Sequence, residues 1–161
     1  MLRDNRLEEG MKKFFATLLG SFFYTGFFPI APATFASFVW LLAWLFLPGG
    51  RWLSHPAALA AVVPLAIWLA FMMEGWYGTD ASKIVIDEVV GMQVTLLIFE
   101  PAWRAGAAGF LLFRFFDIVK PFPVGRSQRL RGGFGVVVDD LLAGLYSLAA
   151  LYLLGRFVDL G

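Results

Sequence analysis

The chain has no cysteine and only one histidine, His55. Without cysteine there can be no disulfides, thiolate nucleophiles or zinc–thiolate sites. One histidine is too few for catalysis by a histidine nucleophile paired with a histidine acid. Charge is also scarce: charged residues make up 16% of the chain, and 13 Lys and Arg against 12 Asp and Glu leave a formal net charge of +1. That balance lacks the basic stripe needed to displace counterions from nucleic acid, so no nucleic-acid partner is expected. Between Phe14 and Met73 the only charged residue is Arg51. Any chemistry must come from oxygen and nitrogen groups at a few places.

Apolar side chains are abundant. Hydrophobic residues are 60% of the 161, with mean hydropathy +0.75, more than a soluble domain of this size can bury. The composition predicts an all-α, polytopic membrane protein forming one domain over residues 1–161. Five apolar segments are the expected spans: Ala31–Leu47, Ala57–Met73, Ile84–Phe99, Ala105–Ile118 and Val136–Leu154. Several fall short of the ~20 residues of a perpendicular span. The aromatic stretch Phe14–Phe28 reads as an interfacial or re-entrant helix, since aromatic rings favour the headgroup boundary; a full span, which would move the amino terminus to the other side, is the competing reading. It lacks a signal-peptide cleavage pattern and is expected to stay in the mature chain.

Lys and Arg in short loops mark the cytoplasmic side. Four lie before Phe14 and four between Lys120 and Arg131, against single residues in the loops around Arg51 and Arg104. With five spans and the amino terminus inside, the start of the first span and the loops 74–83 and 120–135 share the cytoplasmic face. The polar residues gather there.

Two carboxylate pairs interrupt apolar runs. Asp87 and Glu88 lie in IVIDEVVGM, and Asp139 and Asp140 in VVVDDLLAG at the expected start of the last span. Adjacent helical residues point about 100° apart, so both members of a pair face a bundle interior only where it is wide or wet. Helix capping would account for one acid of the second pair, helped by the macrodipole. Four acids meeting without cations would repel, so a shared site needs a divalent ion or cationic partners. Mg2+ prefers oxygen ligands and bridges carboxylates to phosphate. Gly91 would admit a close backbone neighbour.

A third cluster, FRFFDIVKPFP, spaces Arg114, Asp117 and Lys120 three residues apart before Pro121. Arg114 and Asp117 could simply pair while Lys120 snorkels. Alternatively, Arg114 or Lys120 binds phosphate and Asp117 adds a metal ligand. Pro121 is expected to push Lys120 into an extended conformation at the membrane edge. Arg126, Arg129 and Arg131 read mainly as a topology signal with some attraction for anionic lipid. In FFPIAPAT the prolines force irregular backbone before Thr34, a candidate helix cap or phosphate donor. Glu74 and Asp80 lie in the loop leading to Asp87, and Glu74 is unfavourably placed at the end of an apolar helix.

PIAPAT, IVIDEVVGM, FRFFDIVKPFP and GGFGVVVDDLLAG, in this order and spacing, resemble the bacterial phosphatidylglycerophosphatase A family over most of the chain. The resemblance implies Mg2+-dependent hydrolysis of the terminal phosphate monoester of phosphatidylglycerophosphate at the cytoplasmic membrane of a bacterium. It carries over to Thr34, Asp80, Asp87, Glu88, Arg114, Asp117, Lys120, Asp139 and Asp140. The expected metal ligands are Asp87, Glu88, Asp117, Asp139 and Asp140; catalysis falls to the two acid pairs, and substrate binding to Thr34, Asp80, Arg114 and Lys120. The expected partners are that lipid and the bilayer, with no obligate protein partner. Ala33 and Ala36 stand where the family commonly has glycine. A cation or proton transporter, or an alcohol phosphotransferase, is the alternative use of the same acids.

Overall fold

The computed structural model describes residues 2–79, 81–127, 130 and 132–161, with side chains from residue 6 onward. Among these residues the structure is all helix: α1 (Leu2–Gly20), α2 (Pro32–Phe46), α3 (Pro56–Tyr77), α4 (Ile86–Thr95), α5 (Trp103–Val119), α6 (Val124–Ser127) and α7 (Gly133–Leu154). Two short 3-10 turns, Thr25–Phe27 and Gly50–Ser54, flank α2.

Length separates these helices into kinds. α3 and α7, each of 22 residues, are long and apolar enough to cross a membrane. At 1.5 Å per residue each reaches about 33 Å, against a hydrocarbon core of about 30 Å. Trp68 and Phe71 leave an apolar face of α3 exposed, consistent with a membrane protein. The expected five full spans are not supported. α2 has 15 residues and α4 only 10, and α4 reaches about half the core thickness. Every residue of α4 is buried, so what reads in sequence as a span is a short helix sheathed by its neighbours.

The aromatic stretch at the amino end also differs from expectation. It is not one helix over Phe14–Phe28. α1 starts at Leu2 with a charged first half, and the chain then turns through Phe22, Phe23 and Tyr24, all with left-handed backbone. α1 lies across the end of α3: Thr17 Oγ1 is 3.2 Å from Tyr77 Oη, and Lys13 sits over the Tyr77 ring. Charged at one end and apolar at Phe14, Phe15 and Leu19, it has the character of a surface helix.

Close packing fixes the directions of the core helices. A Cβ at Gly144 would stand 2.6 Å from the Gly91 carbonyl oxygen, and one at Gly91 would run into the Phe113 ring. α4 and α7 therefore lie side by side in parallel, with α5 antiparallel to both. Gly109 on α5 faces Leu96 and Leu151, and Gly106 faces Leu41 and Trp44 on α2. Trp40, Trp44 and Phe113 are among the largest side chains sealed in this core, while Trp52, Trp68 and Trp103 are exposed. One end of the bundle thus receives the starts of α2, α4 and α7 and the ends of α3 and α5.

Candidate active site

The two acid pairs meet at that end. Asp87 and Glu88 occupy the first turn of α4, where the helix dipole favours negative charge. Asp139 and Asp140 lie two turns into α7, whose first turn holds no acid. The alternative in which one of them caps this helix therefore falls away: α7 begins at Gly133, so its unsatisfied N–H groups are spent before Asp139. Gly132 (φ 63°) makes this earlier start possible, because the chain turns there in a conformation that glycine adopts freely.

The carboxylates form two overlapping triads. Oxygens of Asp87, Glu88 and Asp140 lie within 4.8 Å of one another, as do those of Asp117, Asp139 and Asp140. Asp140 belongs to both. Asp87 Oδ1, Glu88 Oε2 and Asp140 Oδ2 are buried without a hydrogen-bond partner among the described residues. Burying a carboxylate oxygen with no donor costs several kcal/mol. An all-oxygen donor set of this kind suits a hard divalent cation.

Cations line one side of the cluster. Lys120 Nζ donates to Asp139 Oδ2 at 2.6 Å and stands 3.7 Å from Asp117 Oδ1. Arg114 pairs with Asp117 at 3.0 Å and reaches Ser37 Oγ on α2 at 3.4 Å. Partial burial pulls the Lys120 ammonium toward neutrality, but the bond and charge of Asp139, aided by Asp117 and Asp140, outweigh it, and its pKa is raised. Lys120 is not extended as the proline rule predicts. It takes a left-handed conformation (φ 46°) that closes α5, with its N–H bonded to the Phe116 carbonyl. That turn directs the ammonium into the site instead of out along the membrane edge.

Other expected residues stand apart. Thr34 is not the cap of α2; Ala31 is, with left-handed backbone at φ 49°. Thr34 lines an aromatic groove with Phe28, Phe35, Phe38 and Phe110, and among the described residues no hydrogen bond joins it to an acid. Of the two alanines that stand at the family's glycine positions, neither has a left-handed backbone, and Ala36 is fully buried. Asp80, Arg129 and Arg131 lie outside the described residues. Glu74 comes close to Gly132 at the start of α7. His55, at the far end, caps α3 by accepting from the Ala57 N–H. Ser37 escaped the sequence reading; its only signal was its place one turn after Thr34 on an otherwise apolar helix.

Buried acids opposed by lysine and arginine at one end of an apolar bundle define a class: a polar site for an anionic group, with an oxygen donor set that suits a divalent cation, in a protein otherwise built of apolar helices. A relay for cations would spread acids along the bundle, yet among the described residues the buried acids all lie at this end.

The comparisons with known proteins narrow the class. A family model described as Phosphatidylglycerophosphatase A matches residues 18–155. The chain is 32% identical over 147 residues to phosphatidylglycerophosphatase A of Escherichia coli, covering 89% of this chain and 86% of that one. The Haemophilus influenzae protein of the same name is 41% identical over 75 residues, 45% of this chain and 46% of that one. A Bacteroides thetaiotaomicron protein named "Putative phosphatidylinositol-3-phosphatase" is 41% identical over 143 residues, covering 83% and 89% of the two chains. No solved structure matches. The chain belongs to the phosphatidylglycerophosphatase A family and is a phosphatase.

Proposed function

We propose that this protein hydrolyses the terminal phosphate monoester of phosphatidylglycerophosphate, releasing phosphatidylglycerol and inorganic phosphate. Family membership supports the substrate, and the observation that carries the chemistry is the pair of triads sharing Asp140. In this reading Asp87, Glu88, Asp117, Asp139 and Asp140 hold Mg2+. When bound, the ion would offset the acids' mutual repulsion and neutralise charge on the phosphoryl group.

The chain's own groups do the rest. One Lys120 donor is committed to Asp139, leaving others for a phosphate oxygen. Arg114, held by Asp117 and Ser37, fixes the edge of the site nearest α2. The burial of the acids keeps bulk water away from these charges and strengthens each of them. In the net reaction an oxygen from water forms the new P–O bond. The bond from phosphorus to the glycerol oxygen breaks, and that oxygen leaves as an alcohol after taking a proton.

We place the site at the cytoplasmic face of a bacterial inner membrane in a multi-pass chain, with α3 and α7 as full spans and α2, α4 and α5 completing the bundle. The gathering of the polar segments at one end supports this orientation. The test is phosphate release from phosphatidylglycerophosphate by the purified full-length protein, with Mg2+ and with a chelator. Release that requires Mg2+ is expected; no release in a detergent that keeps the protein folded would sink the proposal. Phosphatidylinositol 3-phosphate belongs in the same assay, since a 41%-identical relative is named for it. Faster turnover of that lipid would reassign the substrate and leave the site as it is.

A further inference from the structure

Both lipids just named carry a phosphate monoester and also the phosphodiester that joins the headgroup to the diacylglycerol, yet the acid cluster and Lys120 account for only one of these anions. Next to Lys120 a cleft of about 410 Å³ opens, lined by Lys120, Phe122, Gly125 and Arg126. Lys120 is the wall shared with the acid site, bonded to Asp139 and close to Asp117. Arg126 is exposed, and no carboxylate among the described residues pairs with it.

Its backbone is nevertheless held in place. Val124 is fully buried, the Val124 and Arg126 N–H groups bond to the Pro121 and Pro123 carbonyls, and Tyr146 Oη donates to the Phe122 carbonyl at 2.9 Å. A Cβ at Gly125 would stand 3.1 Å from the Lys120 carbonyl oxygen, so this segment sits tight against the end of α5. An uncompensated guanidinium on a braced segment, sharing a cleft with the site lysine but not bound to the acids, is placed for a second anion. Guanidinium matches two oxygens of a phosphate in a planar fork.

Resting on the function proposed above, we infer that Arg126 binds the bridging phosphodiester of the lipid substrate while the monoester lies at the acid cluster. Arg126 is then a specificity residue: it favours lipids with two phosphates over phosphate monoesters in general.

Product inhibition reads the two anion positions separately, because phosphatidylglycerol has only the diester and inorganic phosphate stands in for the monoester. The assay uses full-length protein in nonionic detergent micelles, where no other anionic lipid is present. Arg126→Ala is expected to raise KM for phosphatidylglycerophosphate, and the inhibition constant of phosphatidylglycerol, by about fivefold. The inhibition constant of inorganic phosphate and kcat should each move less than twofold. Arg126→Lys, which keeps the charge without the fork, should fall between wild type and Ala, and it carries the test if the Ala variant folds poorly. Arg156→Ala, an equal loss of charge beyond the end of α7, should leave the ratio of the two inhibition constants as it is.

If phosphatidylglycerol inhibits Arg126→Ala as well as it does wild type, the assignment is overturned. It is equally overturned if inhibition by inorganic phosphate weakens to the same extent. A wild-type protein inactive on the lipid would bring down the proposed function and this inference together, whereas an active wild type with an unmoved ratio removes only the inference.

Discussion

The two ends of the helix bundle carry similar charged groups in opposite circumstances. At the far end Arg51 bonds Glu100 at 2.9 Å and Arg104 reaches Asp159 at 3.4 Å, with both carboxylate side chains about four-fifths exposed. At the near end Asp87, Glu88, Asp139 and Asp140 are each at most 8% exposed, and three of them present oxygens with no donor. Water satisfies the first set at almost no cost, and pairs of that kind contribute little. In the second, Lys120 satisfies one oxygen of Asp139, but among the described residues no donor reaches Asp87 Oδ1, Glu88 Oε2 or Asp140 Oδ2. These orphaned oxygens lie on two separate helices held together where Gly91 packs against Gly144, and a cation arriving from outside would satisfy them.

The sharpest way to break this contrast is Asp140→Asn, because Asp140 belongs to both triads. Turnover of the lipid is expected to fall by at least about 10³-fold. Stability should not follow it down. Removing one of several repelling buried charges leaves the metal-free protein at least as stable as wild type. Mg2+ should raise the melting temperature of wild type, by binding the folded state, and leave that of the variant unmoved. A variant that unfolds several degrees earlier in the absence of Mg2+ would show that Asp140 holds the structure together.

Lys120→Met separates the lysine's two roles. The methionine keeps most of the apolar stem while deleting the charge that faces Asp139 and Asp117. We expect kcat/KM to drop by about 10². Mg2+ affinity, read from the concentration that half-saturates the thermal shift, should rise, since the acids have lost their competing cation. Weaker Mg2+ binding in this variant would contradict the arrangement of charges described above.

Gly144→Ala tests the brace. Its Cβ would stand 2.6 Å from the Gly91 carbonyl oxygen and 2.9 Å from Val94 Cβ, and no flexible chain end is there to yield. α4 must move off α7, drawing Asp87 and Glu88 away from Asp140, at a cost of about 1–3 kcal/mol and an activity loss of roughly tenfold. Gly75→Ala, on α3 where an added Cβ meets nothing within 4 Å, should stabilise slightly and leave turnover alone. Equal behaviour of the two variants in a thermal melt would remove the close approach as a structural cause.

The sequence made the site's members legible but not their geometry. Carboxylates inside apolar runs stand out because burial makes them expensive, and Arg114, Asp117 and Lys120 stand out by spacing alone. The direction of Lys120 was not legible: the proline rule gives an extended residue, while closing α5 requires a left-handed one. Nor was the start of α7, because a Gly-rich lead-in reads as a loop until its tertiary neighbours are known. Hydropathy marked where the helices lie but made α4 a span, since it measures apolar content and is blind to whether lipid or protein surrounds it. Ser37 showed only as a hydroxyl one turn after Thr34, and the capping role of His55 left no pattern in the chain.

The smallest effect belongs to the far end, and it decides whether the contrast is one of burial or merely of position. Arg104 opens α5, the helix whose other end carries Arg114, Asp117 and Lys120, so a strained or mobile α5 would transmit a change at one end to the other. The side chain is half exposed and its partner Asp159 more so. Arg104→Ala should therefore cost less than about 0.5 kcal/mol and leave kcat/KM within twofold of wild type. The core contacts of Gly106 and Gly109 with α2, α4 and α7 hold the middle of α5 whatever its start does. A tenfold loss of turnover with an unchanged melting temperature would mean that α5 couples the two ends. The solvated pair at its start would then be part of the machinery that aims Arg114 and Lys120.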